Sequence, residues 1–245
     1  MFDHAAGPAP GQVAVPARPY AYEFEPATSA LLLIDMQRDF LEPDGFGELL
    51  GNDVSLLARV VEPLGAVLAA ARGEDMMIVH TREGHRPDLA DCPPSKLARG
   101  RLELGIGSPG PKGRILVRGE YGHDIIDELA PLPGEVVLDK PGKGSFYATD
   151  LELMLRNAGI KSLIVTGVTT EVCVHTTVRE ANDRGFECLV LEDCCGSYFP
   201  EFHRVALEMV AAQGGIFGWV SGSAELLQAL SNTRPPVLAA VTEGA

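Results

Sequence analysis

The sequence predicts an α/β fold: a mostly parallel sheet with helices on both faces. Three observations lead there. Short continuous apolar runs, bounded by turn residues, alternate at least five times with stretches of helical periodicity. A run that is apolar on every residue is buried on both faces, which is the signature of a parallel strand. The chain has 245 residues, of which 46% are hydrophobic, enough for one well-filled core of this type.

The elements follow in order. Residues 1–27, rich in Pro, Ala and Gly, read as a surface-wrapping arm. That segment has no basic start and no continuous apolar stretch, so a signal peptide is not expected. "ALLLID" (30–35) is a buried strand ending in Asp35, and 53–73 carries apolar residues at helical spacing up to a terminal Gly. "DMMIVH" (75–80) is the next strand. Residues 83–120, dense in Gly, Pro and Arg, read as one long loop, a length that is usually functional. "EVVLD" (135–139) is a strand that stops just before Lys140. The stretch 149–159 is a helix opened by Thr149 and Glu152 at capping-box spacing. The strand "SLIVTG" (162–167) precedes a helix over 172–185. The strand "FECLVLED" (186–193) precedes a helix over 201–215. A short strand (216–220) and a last helix (223–230) complete a domain spanning 28–231, with 232–245 as a loose tail.

Composition narrows the function. A formal net charge of −14 repels polyanions, so nucleic acid is not an expected partner. No apolar run approaches the length of a membrane span. Five cysteines, an odd number, point to free thiols and a reducing cytoplasm rather than a disulfide framework. No CxxC or HExxH is present, and the His80–His85 spacing is a weak metal pattern, so no metal or other cofactor is expected. "GIGSPG" (105–110) matches GxGxxG but follows no strand, which removes it as a dinucleotide site.

In parallel α/β folds, ligands bind beyond the carboxyl ends of the strands. Asp35, Lys140 and Cys173 all fall there, after three different strands. Cys173, in "GVTTEVCVHTT" (167–177), opens a helix, where exposed N–H groups and the helix dipole favour an anion. Helix N-termini and nearby cations lower a thiol pKa, which marks Cys173 as a nucleophile with Lys140 as the cation and Asp35 as the proton acceptor.

The motifs "LLLIDMQRDF", "DKPGKGSF" and "GVTTEVCV", in that order, resemble those of the isochorismatase-like cysteine hydrolases over about residues 30–230. The resemblance implies a doubly wound, six-stranded sheet and a catalytic triad of Asp35, Lys140 and Cys173. It also implies a cis peptide at Val168–Thr169 and oligomers, commonly tetramers. "HTREGHRPDLAD" and "REANDRGFECLVLEDCCG" look most like the biuret-hydrolysing members of the family. That likeness implies cleavage of a small urea-type substrate, biuret, to allophanate and ammonia through a thioester. Phe40, Lys143 and Gln213 are then the implied substrate contacts, and the backbone N–H groups of Thr169 and Cys173 the implied oxyanion site. Triuret and ureidoacrylate or other N-carbamoyl amides are the alternatives, with a thiol redox role more remote. Tyr147, His175 and the 197–203 segment depart from the pattern, which would suit a longer or bulkier substrate if they line the pocket.

Overall fold

The computed structural model describes residues 11–74, 76–100 and 104–233. The first ten residues of the expected arm and the expected tail beyond 233 lie outside that set. The chain opens with β1 (Val13–Val15) and β2 (Tyr22–Phe24), then β3 (Ser29–Ile34) and three short or medium helices before a longer one. These are α1 (Arg38–Leu41), α2 (Phe46–Leu49), α3 (Ser55–Ala58) and α4 (Val61–Gly73). Next come β4 (Met77–Glu83), α5 (Pro94–Leu97), the small hairpin β5 (Pro109–Gly110) and β6 (Gly113–Arg114), and β7 (Val136–Lys140). The last third runs α6 (Leu151–Asn157), β8 (Ser162–Val168), α7 (His175–Asp183), β9 (Glu187–Gly196), α8 (Pro200–Gly215), β10 (Trp219–Ser221) and α9 (Ser223–Thr233).

Six strands form one parallel sheet in the order β10-β9-β8-β3-β4-β7. The chain winds outward in one direction from β3 and in the other from β8, so the switch point of the topology lies between these two neighbours. A crevice opens at such a point, beyond the strand carboxyl ends. Along β3, Leu31 and Leu33 face one hydrophobic cluster with α4 and α9, while Ala30, Leu32 and Ile34 face another with α6, α7 and α8. The two-residue period of a strand thus feeds both layers. β1 and β2 pair antiparallel, and Val13, Val15, Tyr22 and Phe24 bury in the layer that holds α9.

Several expected boundaries move. The single helix over 53–73 is two helices: Pro63 has no N–H for the Arg59 carbonyl and crowds it, so the helix restarts at Val61. β4 runs past His80 to Glu83 because Arg82 and Glu83 pair with Asp139 and Lys140 of β7. Lys140 is therefore the last residue of its strand rather than the first beyond it. The capping box does not form. Asp150 takes the N-cap position, Thr149 donates to the Ser145 carbonyl, and Glu152 binds Arg156 and Arg184. β9 extends to Gly196 and takes in Cys194 and Cys195 as buried strand residues. The long loop after β4 is partly ordered by α5 and the β5–β6 hairpin, and is tied back where Leu116 accepts from the His85 N–H and Arg118 donates to the His85 carbonyl. No helix among the described residues is long and apolar enough to cross a membrane.

Candidate active site

Each of the three residues expected at the sheet edge is placed there by its own strand. Asp35 leaves β3 with a φ of 53°, a left-handed conformation that Asp tolerates better than most residues. Its N–H bonds the Thr81 carbonyl on the neighbouring strand, and Thr81 Oγ1 donates to its Oδ1 at 2.7 Å. Lys140 Nζ lies 2.7 Å from Asp35 Oδ2, and both side chains are 0% exposed. The same ammonium donates to the carbonyls of Gly142 and Lys143 at 3.1 and 2.9 Å, so the "PGKG" turn wraps its head. Burial opposes the lysine's charge, but Asp35, Cys173 and Glu83 around it hold its pKa above the ordinary lysine range.

Cys173 sits in a π-helical turn, Thr170–Val174, between β8 and α7. Its carbonyl accepts from Thr177 Oγ1, which also bonds Ser145 Oγ, and this ties the first turn of α7 to the "GKGSF" segment. The peptide Val168–Thr169 is cis, as the motif implies. Gly167, at a φ of 108°, lies so close to β3 that a Cβ there would run into the Ile34 backbone. The thiol is 5% exposed, and here the structure corrects an expectation. Burial raises its pKa well above the ordinary thiol range; Lys140 and Lys143 work against burial, whereas Asp35 and Glu83 add to it. A helix terminus and two cations do not outweigh the loss of water and two neighbouring carboxylates.

The second carboxylate is the residue sequence reasoning missed. Glu83, the last residue of β4, is 1% exposed and sits directly beside Lys140 in the sheet register. Its Oε2 accepts from Cys173 Sγ at 3.5 Å. Lys143 Nζ bonds both its oxygens, at 2.7 and 3.0 Å, and Lys96 Nζ reaches Oε1 at 3.2 Å. Burial would push Glu83 up, but Lys143, Lys140 and Lys96 together bring its pKa down to about 2. Gln37, fully buried, brackets the backbone of Glu83 with both ends of its amide. The signal for Glu83 was its place at a strand's carboxyl end, hidden because "TREGHRP" reads as a polar loop.

Ligand atoms of Asp35, Glu83 and Cys173 all lie within 4.8 Å of one another, a spacing that suits a cation. Lys140 and Lys143 already stand against the two carboxylates. With Lys96 also on Glu83, three ammonium groups face two carboxylates, and a thiolate would bring the cluster to neutrality.

Above the cluster opens a cleft of about 460 Å³, lined by Lys96, Arg99, Lys143, Phe46, Leu116 and Tyr147 among others. Lys143 and Lys96 belong to both, with their ammonium groups on Glu83 and their stems in the cleft. Among the described residues Arg99 has no acidic partner. Tyr147 covers Gly142 and forms part of the wall.

Other expected contacts are not brought to this place. Phe40 packs against the hydrophobic core, its carbonyl accepting from Tyr198 OH; Phe46, six residues on, lines the cleft instead. Gln213 is exposed at a break in α8, with φ 54° and ψ 34°. α8 leaves the carboxyl edge after β9 and returns to the opposite edge where β10 starts, so its C-terminal end points away from Cys173. His175 is turned to the far side of α7, where it accepts from Arg179 Nε and meets the edge of Phe217. The 197–203 segment supports the Cys173 turn from behind, with His203 bonded to Thr170 Oγ1. His80 bonds Glu135, and His85 bonds Asp91 and Lys96, so the two histidines share no ligand.

Comparison with known proteins agrees with this geometry. The family model for the isochorismatase domain matches residues 29–225. The chain is 35% identical over 239 residues to the ureidoacrylate amidohydrolase RutB of Enterobacter sp. (strain 638), covering 93% of this chain and 98% of that one. Among solved structures, a cysteine hydrolase from Pseudomonas syringae pv. phaseolicola 1448A superposes with a TM-score of 0.74 at 26% identity, covering 91% of this chain and 98% of that one. An isochorismatase family protein from Desulfovibrio vulgaris subsp. vulgaris str. Hildenborough gives 0.69 at 28% identity, covering 83% and 98%. With a matching sheet order, a buried cysteine at its switch point and a family model spanning most of its length, the chain belongs to the isochorismatase family of cysteine hydrolases.

Proposed function

We propose that the protein is an amidohydrolase of small ureido substrates that carry an anionic tail, ureidoacrylate and related N-carbamoyl acids. Cys173 is the nucleophile, Asp35 the acid and base, and Lys140 the charge that balances them. The observation that carries the chemistry is the buried cluster of these three groups at the switch point of the sheet. Because burial raises the thiol, the proton leaves Sγ only as the bond to carbon forms, and Asp35 receives it. The sulfur adds to the carbamoyl carbon. The resulting oxyanion accepts from the backbone N–H groups of Thr169 and Cys173. Asp35 returns the proton to the leaving nitrogen as the C–N bond breaks, which leaves a thioester on Cys173. Asp35 then takes a proton from water, whose oxygen attacks the thioester, and passes that proton to sulfur as the C–S bond breaks, which frees the thiol.

The choice of substrate rests on the cleft. In a chain of net charge −14, its wall carries the stems of Lys96 and Lys143, whose ammonium groups are held by Glu83, and an exposed Arg99 with no acidic partner among the described residues. A carboxylate tail answers that charge, and likeness to a ureidoacrylate amidohydrolase supports the same reading. Biuret, the substrate the motifs imply, is the second reading. It undergoes the same chemistry but is neutral, so it offers Arg99 no opposite charge. The test is product release by the purified protein from ureidoacrylate, an N-carbamoyl amino acid and biuret, with Cys173→Ala as control. Turnover of the acids that exceeds turnover of biuret and vanishes in the variant is expected. Preference for biuret would overturn the substrate assignment, and turnover by Cys173→Ala would overturn the mechanism.

A further inference from the structure

We propose that Glu83 is a fourth member of the reactive cluster: its fixed negative charge keeps Cys173 a neutral, S–H-donating thiol until substrate arrives, and Lys96, His85 and Asp91 hold that carboxylate in place. The inference rests on Cys173 being the nucleophile, and its test reads the thiol itself rather than turnover, so the two can fail separately.

The geometry is that of a built chain. Lys96 is carried on α5, in the long segment that folds over the sheet edge, and it spends all three of its N–H bonds inward. They go to Glu83 Oε1 at 3.2 Å, to the Pro141 carbonyl at 2.7 Å and to His85 Nε2 at 3.0 Å. An ammonium has no lone pair, so His85 must accept there with Nε2 and carry its proton on Nδ1. That Nδ1 lies 3.2 Å from Asp91 Oδ1, and Asp91 Oδ2 accepts from Arg118 at 3.0 Å. The polar side chains Arg118, Asp91, His85, Lys96 and Glu83 therefore run without a gap from the half-exposed rim to Sγ. His85 is 0% exposed, and burial together with the charge of Lys96 lowers its pKa, so the neutral acceptor form prevails at neutral pH.

The charged groups that face Cys173 come from three strands and one turn: Asp35 after β3, Glu83 on β4, Lys140 on β7 and Lys143 just beyond. Two of these discourage a thiolate and two favour it. Glu83 is the one that touches Sγ, and it stays ionised. A carboxylate in that position directs the S–H proton toward itself and opposes its loss, which keeps the sulfur in its less oxidisable form at rest. An arriving ureido group offers N–H donors of its own, and they give the carboxylate an alternative partner when the thiol proton departs to Asp35.

The experiment is alkylation of Cys173 by iodoacetamide, a small neutral amide, followed by peptide mass spectrometry across pH. Glu83→Gln keeps the shape and removes the charge. It should lower the alkylation midpoint by about one pH unit, so that alkylation at pH 8 is about tenfold faster than in the wild type. Lys96→Met and His85→Phe remove a cation or its support, leave Glu83 less compensated, and should slow alkylation at the same pH. A merely loosened site would expose the thiol and speed alkylation in all three variants, which would overturn the proposal. So would an unchanged or slower rate in Glu83→Gln. If Glu83→Gln does not fold, as judged by circular dichroism, the slowing in Lys96→Met and His85→Phe carries the test, and faster alkylation in them refutes it.

Discussion

Replacing Lys140 with Met removes one half of an ion pair in which neither side chain is exposed. The ammonium makes three contacts: Asp35 Oδ2 at 2.7 Å, and the Gly142 and Lys143 carbonyls. Met fills a similar volume, so the loss is chiefly electrostatic. Asp35 keeps only Thr81 Oγ1 and is left as a buried charge without its cation. Breaking a buried pair from one side costs about 3–5 kcal/mol, a large share of the total stability of a domain, about 5–15 kcal/mol. Adding Asp35→Asn removes the orphaned charge, so the double variant should be more stable than Lys140→Met alone, with a coupling of about 2 kcal/mol. Urea unfolding of the wild type, both single variants and the double gives this cycle directly. All three variants should lack turnover. A Lys140→Met protein as stable as the wild type, or a cycle that sums to zero, would refute the picture of a dry pair at the heart of the site.

Two further outcomes are expected. Arg99→Ala should raise KM for carboxylate-bearing ureido substrates about tenfold and leave biuret kinetics nearly unchanged, as steady-state rates will show. Stability should fall as pH drops from about 6.5, because burial lowers the pKa of His80, His85, His123, His175 and His203. Between 6.5 and the folded value the unfolded chain binds more protons, so acid favours unfolding. His123, brought down to about 4 by burial, alone accounts for on the order of 3 kcal/mol by pH 4. Glu83 adds its own loss only below about 4.5. Melting temperatures measured across pH will show whether the decline begins at the histidine range or only at the carboxylate range.

The strands of the large sheet were legible because each contains a short apolar run, and the edge residues were legible because strand ends in such a sheet converge. Asp35, Lys140 and Cys173 followed from that rule together with the motifs. Glu83 obeys the same rule but was hidden, since the end of β4 is set by pairing with β7, a partner over fifty residues away. The lysines that keep it charged come from α5, the end of β7 and the turn after it, and no local pattern announces such a meeting. Gln213 lies away from the cluster for the opposite reason. Its motif neighbours match, but position along a crossover helix decides which edge of the sheet a residue reaches. The thiol pKa was misjudged because helix termini and cations can be read from a sequence, whereas the depth of burial that outweighs them cannot.

β1 and β2 bury their apolar side chains in the layer that contains α9. The first described strands therefore wait for α9, far along the chain. During synthesis, Val13, Val15, Tyr22 and Phe24 cannot complete their packing until Leu226 and Leu230 have left the ribosome. Until then the nascent chain presents a greasy flank that a chaperone can hold. Completion of this layer thus waits on α9, and a product lacking α9 leaves that apolar surface open.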